Sequence, residues 1–255
     1  MTVRCVYTDL DGTLLGPGAS LFRGGEGAFT LIAARGLEAC HRAGVEVVPI
    51  SGRRRAQVAE PARLIGASSY CFEIGGGLVV DGEQRWLCGE FEPRDGQTPW
   101  QLVEESGAPA LLLDAFAGTL EPHSPWDQGR EITHVLRGRV DVAGANALLA
   151  ERGHAGVRLV DNGEIDADRS CYHLAPATAS KAAAVAAHMR VRGYAPDECV
   201  AVGDSHEDAE VGTVVGRLYL VANADPTIPA AANHRRTESG FGAGFYEAVV
   251  EALMT

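Results

Sequence analysis

Apolar positions along this chain fall into two textures, short continuous runs and stripes with helical spacing, and the two alternate. Residues 3–8 are a short β-branched and aromatic run, which predicts a strand. Phe29, Ile32, Ala33, Leu37 and Cys40 recur at helical spacing and predict a helix ending at Gly44. Residues 45–50 predict a second strand, 57–65 a helix interrupted or restarted near Pro61, and 70–74 a third short strand. Fully apolar strands separated by helices are the pattern of a parallel sheet covered on both faces.

From residue 81 the texture changes. Residues 78–80 and 85–88 flank Asp81-Gly82, a hairpin signal. Segments punctuated by Pro and Gly follow, with a helix near 108–117 and a strand near 132–140. A helix over 142–152, capped by Asp141, and strands near 157–160 and 171–174 complete this stretch. At Ser180 the first texture returns, with an Ala-rich helix to Arg192, a strand over 199–202, a short helix, a strand over 218–221 and a helix from about Gly244. The expected fold class is α/β. A doubly wound, parallel, Rossmann-like core comes from residues 1–80 and 176–255, and an α+β domain, 81–175, is inserted between its halves. Ligands of such sheets bind beyond the carboxyl ends of the strands.

Composition mainly excludes. At 255 residues, 46% hydrophobic and 22% charged, the chain suits a large buried core. It shows no charged start followed by an apolar run and no stretch long enough for a bilayer, so a cytoplasmic protein without membrane contact is expected. The net charge of −12 offers no basic excess to displace counterions, which disfavours nucleic acid as a partner. Six cysteines without a C-x-x-C pair, several inside apolar runs, read as small buried hydrophobes of a reducing compartment. Among 22 basic residues only Lys181 is a lysine. It is either a chance survivor on a helix surface or a compact ammonium where the planar arginine fork would not fit.

The candidate chemistry sits at predicted strand ends. Asp9-Leu10-Asp11-Gly12-Thr13-Leu14 follows the first strand directly. Two carboxylates two residues apart repel, so they need a cation, a shared proton or different roles, and the glycine allows a sharp turn that exposes N–H groups. The second strand runs into Ser51-Gly52-Arg53, where a hydroxyl and N–H groups suit a phosphate oxygen. Lys181 opens the Ala-rich helix, an unfavourable place for a cation on macrodipole grounds. The strand over 199–202 ends in Gly203-Asp204-Ser205-His206-Glu207-Asp208, which puts further acids at a strand tip.

These four elements, in this order, resemble the four motifs of the haloacid dehalogenase-like phosphohydrolases. The insertion between the second and third matches the branch with an α/β cap there, similar to sucrose-phosphate and mannosyl- or glucosyl-phosphoglycerate phosphatases. The resemblance implies a Mg2+-dependent phosphomonoesterase acting on a small phosphorylated metabolite, of sugar-phosphate or phosphoglycerate type. Asp9 would be the nucleophile and Asp11 the acid and base, which argues against dehalogenation, where no alkoxide leaves. Ser51, Gly52 and Lys181 would bind the phosphoryl oxygens. Asp9, the Asp11 carbonyl and Asp204 would hold the metal, with Asp208 a ligand or one step removed. A phosphomutase on the same core and a non-catalytic binding protein are the alternatives. Where the branch commonly carries Asn, this chain has Glu207, which either adds a ligand, repels substrate or points to solvent. In the cap, His123, Arg130, His134 and Arg137 either line the substrate face or belong to a solvated strand face. Gly75-Gly76-Gly77 reads as a turn into the cap, and Arg53-Arg54-Arg55 as a helix-surface charge run with Arg53 near the phosphate.

Overall fold

The computed structural model describes residues 2–254. The chain begins with β1 (Cys5–Asp9), α1 (Ile32–Arg42), β2 (Glu46–Ile50), α2 (Arg55–Leu64), β3 (Ser69–Phe72), β4 (Gly77–Val80) and β5 (Glu83–Trp86). Then come α3 (Pro99–Glu105), α4 (Ala108–Ala115), β6 (Leu120–Pro122), β7 (His134–Gly138), α5 (Val142–Glu151), β8 (Val157–Asp166) and β9 (Arg169–Pro176). The last part is α6 (Lys181–Arg192), β10 (Cys199–Gly203), α7 (His206–Val211), β11 (Arg217–Leu220), β12 (His234–Arg236) and α8 (Phe241–Met254).

The strands form two sheets. The larger has the order β12-β11-β10-β1-β2-β3-β4-β5, parallel from β12 to β3 and antiparallel beyond. Every residue of β1 and β10 is buried, as continuous apolar runs at the centre of a covered sheet should be. On one side of β1 lie β2 and β3, on the other β10, β11 and β12, so the winding reverses between β1 and β10. At such a switch point the strand ends leave a crevice. Asp9 ends β1 there and Gly203 ends β10.

The smaller sheet, β6-β7-β9-β8, is antiparallel throughout. One of its faces carries Leu136, Leu159, Tyr172 and Leu174 into a second core with Val103, Leu112 and Leu149 of α3, α4 and α5. By alternation Val135, Cys171 and His173 point the other way.

Four local features differ from the sequence pattern. The hairpin expected to open the insertion belongs to the large sheet, because β4 pairs back on β3 and β5 on β4. Its turn is the two-residue kind the sequence signals, with Asp81 at φ 52° and Gly82 at φ 85°. The chain therefore leaves the large sheet after Trp86, and the glycine run turns into β4 rather than into the insertion. Pro61 does not interrupt α2, since it removes only the bond to the Gln57 carbonyl while Val58 and Ala62 stay buried beneath it. At seven residues α3 is too short for a periodic stripe, and its only signal is the capping box of Thr98 and Gln101 with Pro99 at the first position. The distal half of β8, 161–166, is exposed and carries Ile165 as its one large apolar side chain, so no apolar alternation marked it. Among the described residues no helix is long and apolar enough to cross a membrane. Five of the six cysteines are buried, and all are free thiols.

Candidate active site

β1 delivers Asp9 to the crevice, and the next turn is shaped to keep it there. Gly12 has φ 81°, and a Cβ on it would lie 2.3 Å from an Asp204 carboxylate oxygen. Only glycine meets both conditions. The Asn223 amide donates to the Gly12 carbonyl at 2.8 Å, and the buried Thr13 hydroxyl donates to Asp204 Oδ1 at 2.9 Å. Thr13, part of the first motif, thus ties the two strand tips together.

α6 starts under Ser180, whose hydroxyl accepts from the Ala183 N–H. A Cβ on Gly75 would lie 2.2 Å from the Ser180 carbonyl oxygen, so the glycine turn lets this helix start approach the sheet. Lys181, 3% exposed, then reaches Asp9 Oδ1 and Asp208 Oδ1, each at 2.7 Å. The only lysine is not a surface residue. Asp208 spends its other oxygen on the N–H groups of Asp204 and Ser205 and on the Ser205 hydroxyl.

Asp9, Asp204 and Asp208 each place one oxygen within 4.8 Å of the others. Burial, and then the Asp208 and Asp204 charges, push Asp9 well above the usual carboxylate range although Lys181 pulls it down. Burial and Asp208 likewise push Asp204 up to about 6. Burial works against the Lys181 ammonium, yet Asp208 and Asp9 hold it protonated above its usual range. One ammonium does not balance three carboxylates. An oxygen-only donor set with surplus negative charge is the kind a hard divalent cation fits.

Ser51, at the end of β2, is buried, and its hydroxyl accepts from the Arg53 N–H at 3.2 Å. Arg53 itself folds back onto Asp11, donating from Nε to Oδ2 at 2.6 Å and from Nη2 to Oδ1. Arg53 thus lines the cavity rather than a helix surface, and a run of three arginines gives no sign of its pairing with Asp11. Asp9, Asp11, Ser51, Gly52, Arg53, Lys181 and Asp204 line one cavity of about 520 Å³. Its other wall comes from the small sheet and its loops, with His123, Trp126, Arg130, Val135, Asn162, Cys171 and His173.

Of the four insertion residues singled out from sequence, His123 and Arg130 reach this cavity, and His134 and Arg137 do not. His134 lies on the helix-covered face of β7, stacked on Trp100 at 4.3 Å and bonded to the Trp100 carbonyl. Arg137 has the parity of Val135 but lies two residues farther along, where it pairs with Glu121 at 2.7 Å. Alternation identifies two faces without saying which one meets the site. Arg130 donates to the carbonyls of Trp126 and Gly52 and to the Thr133 hydroxyl, which ties the insertion to the tip of β2.

Glu207 is 7% exposed and accepts two bonds from Arg158 of β8, both at 3.1 Å. Arg158 also donates to the Ala179 carbonyl, so the pair fastens the small sheet to α7 and to the start of α6. Glu207 is thereby committed and does not face the carboxylate cluster as a fourth acid. Glu207→Gln should lower stability by about 1–3 kcal/mol, the usual worth of a charged, largely buried hydrogen bond. Any affinity of the Asp9, Asp204 and Asp208 cluster for a divalent cation should stay within about twofold, since both Glu207 oxygens are engaged by Arg158 and not by the cluster. A large shift in metal affinity with unchanged denaturant melting would contradict this assignment.

Residues 159–246 match the family described as haloacid dehalogenase-like hydrolase. A phosphoglycolate phosphatase of Halorubrum lacusprofundi is 31% identical over 176 residues, 68% of each chain. One of Methanococcoides burtonii is 26% identical over 253 residues, covering 99% of this chain and 98% of its own. The sucrose-phosphatase of Synechocystis sp. PCC6803, solved with sucrose and phosphate, shares the fold with a TM-score of 0.73 at 18% identity, over 99% of this chain and 98% of that one. Thermoplasma acidophilum 0175 does so with a TM-score of 0.72 at 17% identity, over the whole of both chains.

Proposed function

The chain belongs to the haloacid dehalogenase-like hydrolases, and on that premise we propose that it is a Mg2+-dependent phosphomonoesterase acting on a small phosphorylated metabolite through a covalent intermediate on Asp9. The observation that carries the reading is the buried Asp9 carboxylate, oriented by Lys181 on the floor of a cavity that two sheets enclose. The names of its relatives, phosphoglycolate phosphatase and sucrose-phosphatase, support a small organic phosphate as substrate.

In this mechanism the Asp9 carboxylate attacks phosphorus in line while the ester P–O bond breaks. Asp11 gives its proton to the departing alkoxide, then takes one from a water whose oxygen displaces Asp9, and inorganic phosphate leaves. Arg53 must release Asp11 for this. An incoming phosphoryl group offers the guanidinium an alternative pair of oxygens. Ser51, the Gly52 N–H and Lys181 hold the phosphoryl oxygens as charge shifts onto them. Asp9, the Asp11 carbonyl and Asp204 would hold Mg2+, whose charge offsets the repulsion between carboxylate and phosphate. Asp208, with both oxygens engaged, serves to position Lys181 and the Asp204 turn. The part between Trp86 and Pro176 would act as the cap that selects the leaving group.

The test is release of inorganic phosphate from a panel of phosphorylated metabolites. Turnover should require Mg2+ and stop with excess chelator, and Ca2+ should restore less than about a tenth of it, because looser coordination misplaces nucleophile and phosphate. Undiminished turnover in chelator would remove the metal from the mechanism. No release from any member in Mg2+ would overturn the activity.

A further inference from the structure

His173 lies on β9 with its ring in the cavity wall, and a chain of buried bonds settles which of its nitrogens carries hydrogen. The chain starts at Glu73, fully buried, whose Oε2 accepts from the N–H groups of Ile132 at 3.0 Å and Thr133 at 2.8 Å. The Thr133 hydroxyl lies 3.1 Å from the same oxygen. With two N–H groups already aimed at it, Oε2 has no room for a proton of its own, so Thr133 must donate to it. The remaining lone pairs of Thr133 Oγ1 face Arg130 Nη1 and His173 Nδ1, both at 3.1 Å. Nδ1 is therefore the protonated nitrogen. Burial, and then the charges of Arg130 and Lys181, hold the ring well below the usual histidine range and keep it neutral.

Nε2 is left as a bare acceptor. It has no protein partner among the described residues and sits beside Gly52, 3.4 Å from where a Cβ on that residue would lie. Each Arg or Lys lining the cavity already has a carboxylate: Lys181 has Asp9 and Asp208, Arg53 has Asp11, and Arg130 has Glu73 at 3.9 Å. A second carboxylate on a substrate would meet a lone pair and no uncommitted cation. A hydroxyl would find an acceptor. Trp126, 53% exposed on the same cavity, adds an apolar plate of the size of a sugar ring.

We propose that His173 Nε2 accepts a hydrogen bond from a hydroxyl of the leaving group, so that the site takes phosphates of polyols or sugars in preference to phosphorylated acids. This rests on the phosphatase reading above. The experiment compares kcat/KM for glycerol 3-phosphate and glucose 6-phosphate with that for phosphoglycolate, which has a carboxylate and no free hydroxyl, in wild type and His173→Phe. The wild-type ratio should exceed about ten for at least one polyol phosphate, and His173→Phe should lower it by about tenfold or more, because a site built around a hydroxyl discriminates through it. Preference for phosphoglycolate in the wild type, or a ratio unmoved by the substitution, would overturn the assignment. Because the phenyl ring of that variant would also disturb Thr133, the imidazole is read independently in the wild type by 15N NMR. Protonation at Nδ1 alone supports the proposal, and protonation at Nε2 refutes it. If no phosphate, p-nitrophenyl phosphate included, is turned over, the phosphatase reading fails and the tautomer decides for His173 by itself.

Discussion

Asp9→Asn should lose all measurable phosphate release, at least about four orders of magnitude, because an amide oxygen cannot form and later release an acyl phosphate. The loss should not come from unfolding. Asparagine has nearly the same shape, its oxygen can still accept from Lys181, and the substitution removes one of three carboxylates crowded at the switch point. Since burial and its neighbours already push the Asp9 carboxyl upward, its charge is a cost to the folded state, and relieving it should leave the melting temperature unchanged or higher. Phosphate release measured with saturating Mg2+, and thermal melting measured without metal, separate the two effects. Full turnover in a preparation of verified mass would end the mechanism. An inactive variant that melts far below wild type would instead make Asp9 a structural residue.

Lys181→Arg should cost at least about a hundredfold in kcat/KM, the scale of removing one donor to a developing oxyanion. The ammonium occupies a pocket it fills to 3% exposure, with carboxylate oxygens at 2.7 Å on two sides. A guanidinium is wider and planar, so it can satisfy one of these carboxylates only by displacing the other. Lys181→Ala should lose as much activity and also stability, about 3–5 kcal/mol, because Asp9 and Asp208 would then be buried without their cation. Denaturant melts tell the two variants apart. Near-normal turnover with arginine would show that charge alone matters here, and Arg53 would then be the group to test on the phosphate.

Lys181 also shows where reading the sequence succeeds and where it stops. Its rarity, and its position at a helix start where a cation is unfavourable, mark it as unusual. The two carboxylates it bonds, Asp9 and Asp208, lie 172 and 27 residues away, and no spacing rule connects the three. Arg53 is the opposite case. It sits in a run of three arginines that solvent would explain, and only the fold brings Asp11, 42 residues earlier, within reach of it. Glu207 is similar. As a departure from an expected pattern it left an added ligand, a repelled substrate and a solvated acid all open, whereas Arg158, 49 residues away on the small sheet, claims it.

The chain by itself determined what depends on neighbours in sequence. Central strands were legible because burial on both faces requires unbroken apolar runs, and the Asp9-to-Thr13 turn because a left-handed glycine and two carboxylates are local chemistry. The Asp81-Gly82 hairpin was legible for the same reason. Tertiary structure alone decided which sheet that hairpin joins, which face of β7 meets the cavity, and that His134 and Arg137 are spent elsewhere. It also decided the hydrogen on His173, through Glu73 and Thr133. A period of two or 3.6 residues marks the faces of an element without identifying what lies opposite. The state of a buried polar group is set by the partner that replaces water, and here that partner is most often supplied from across the fold.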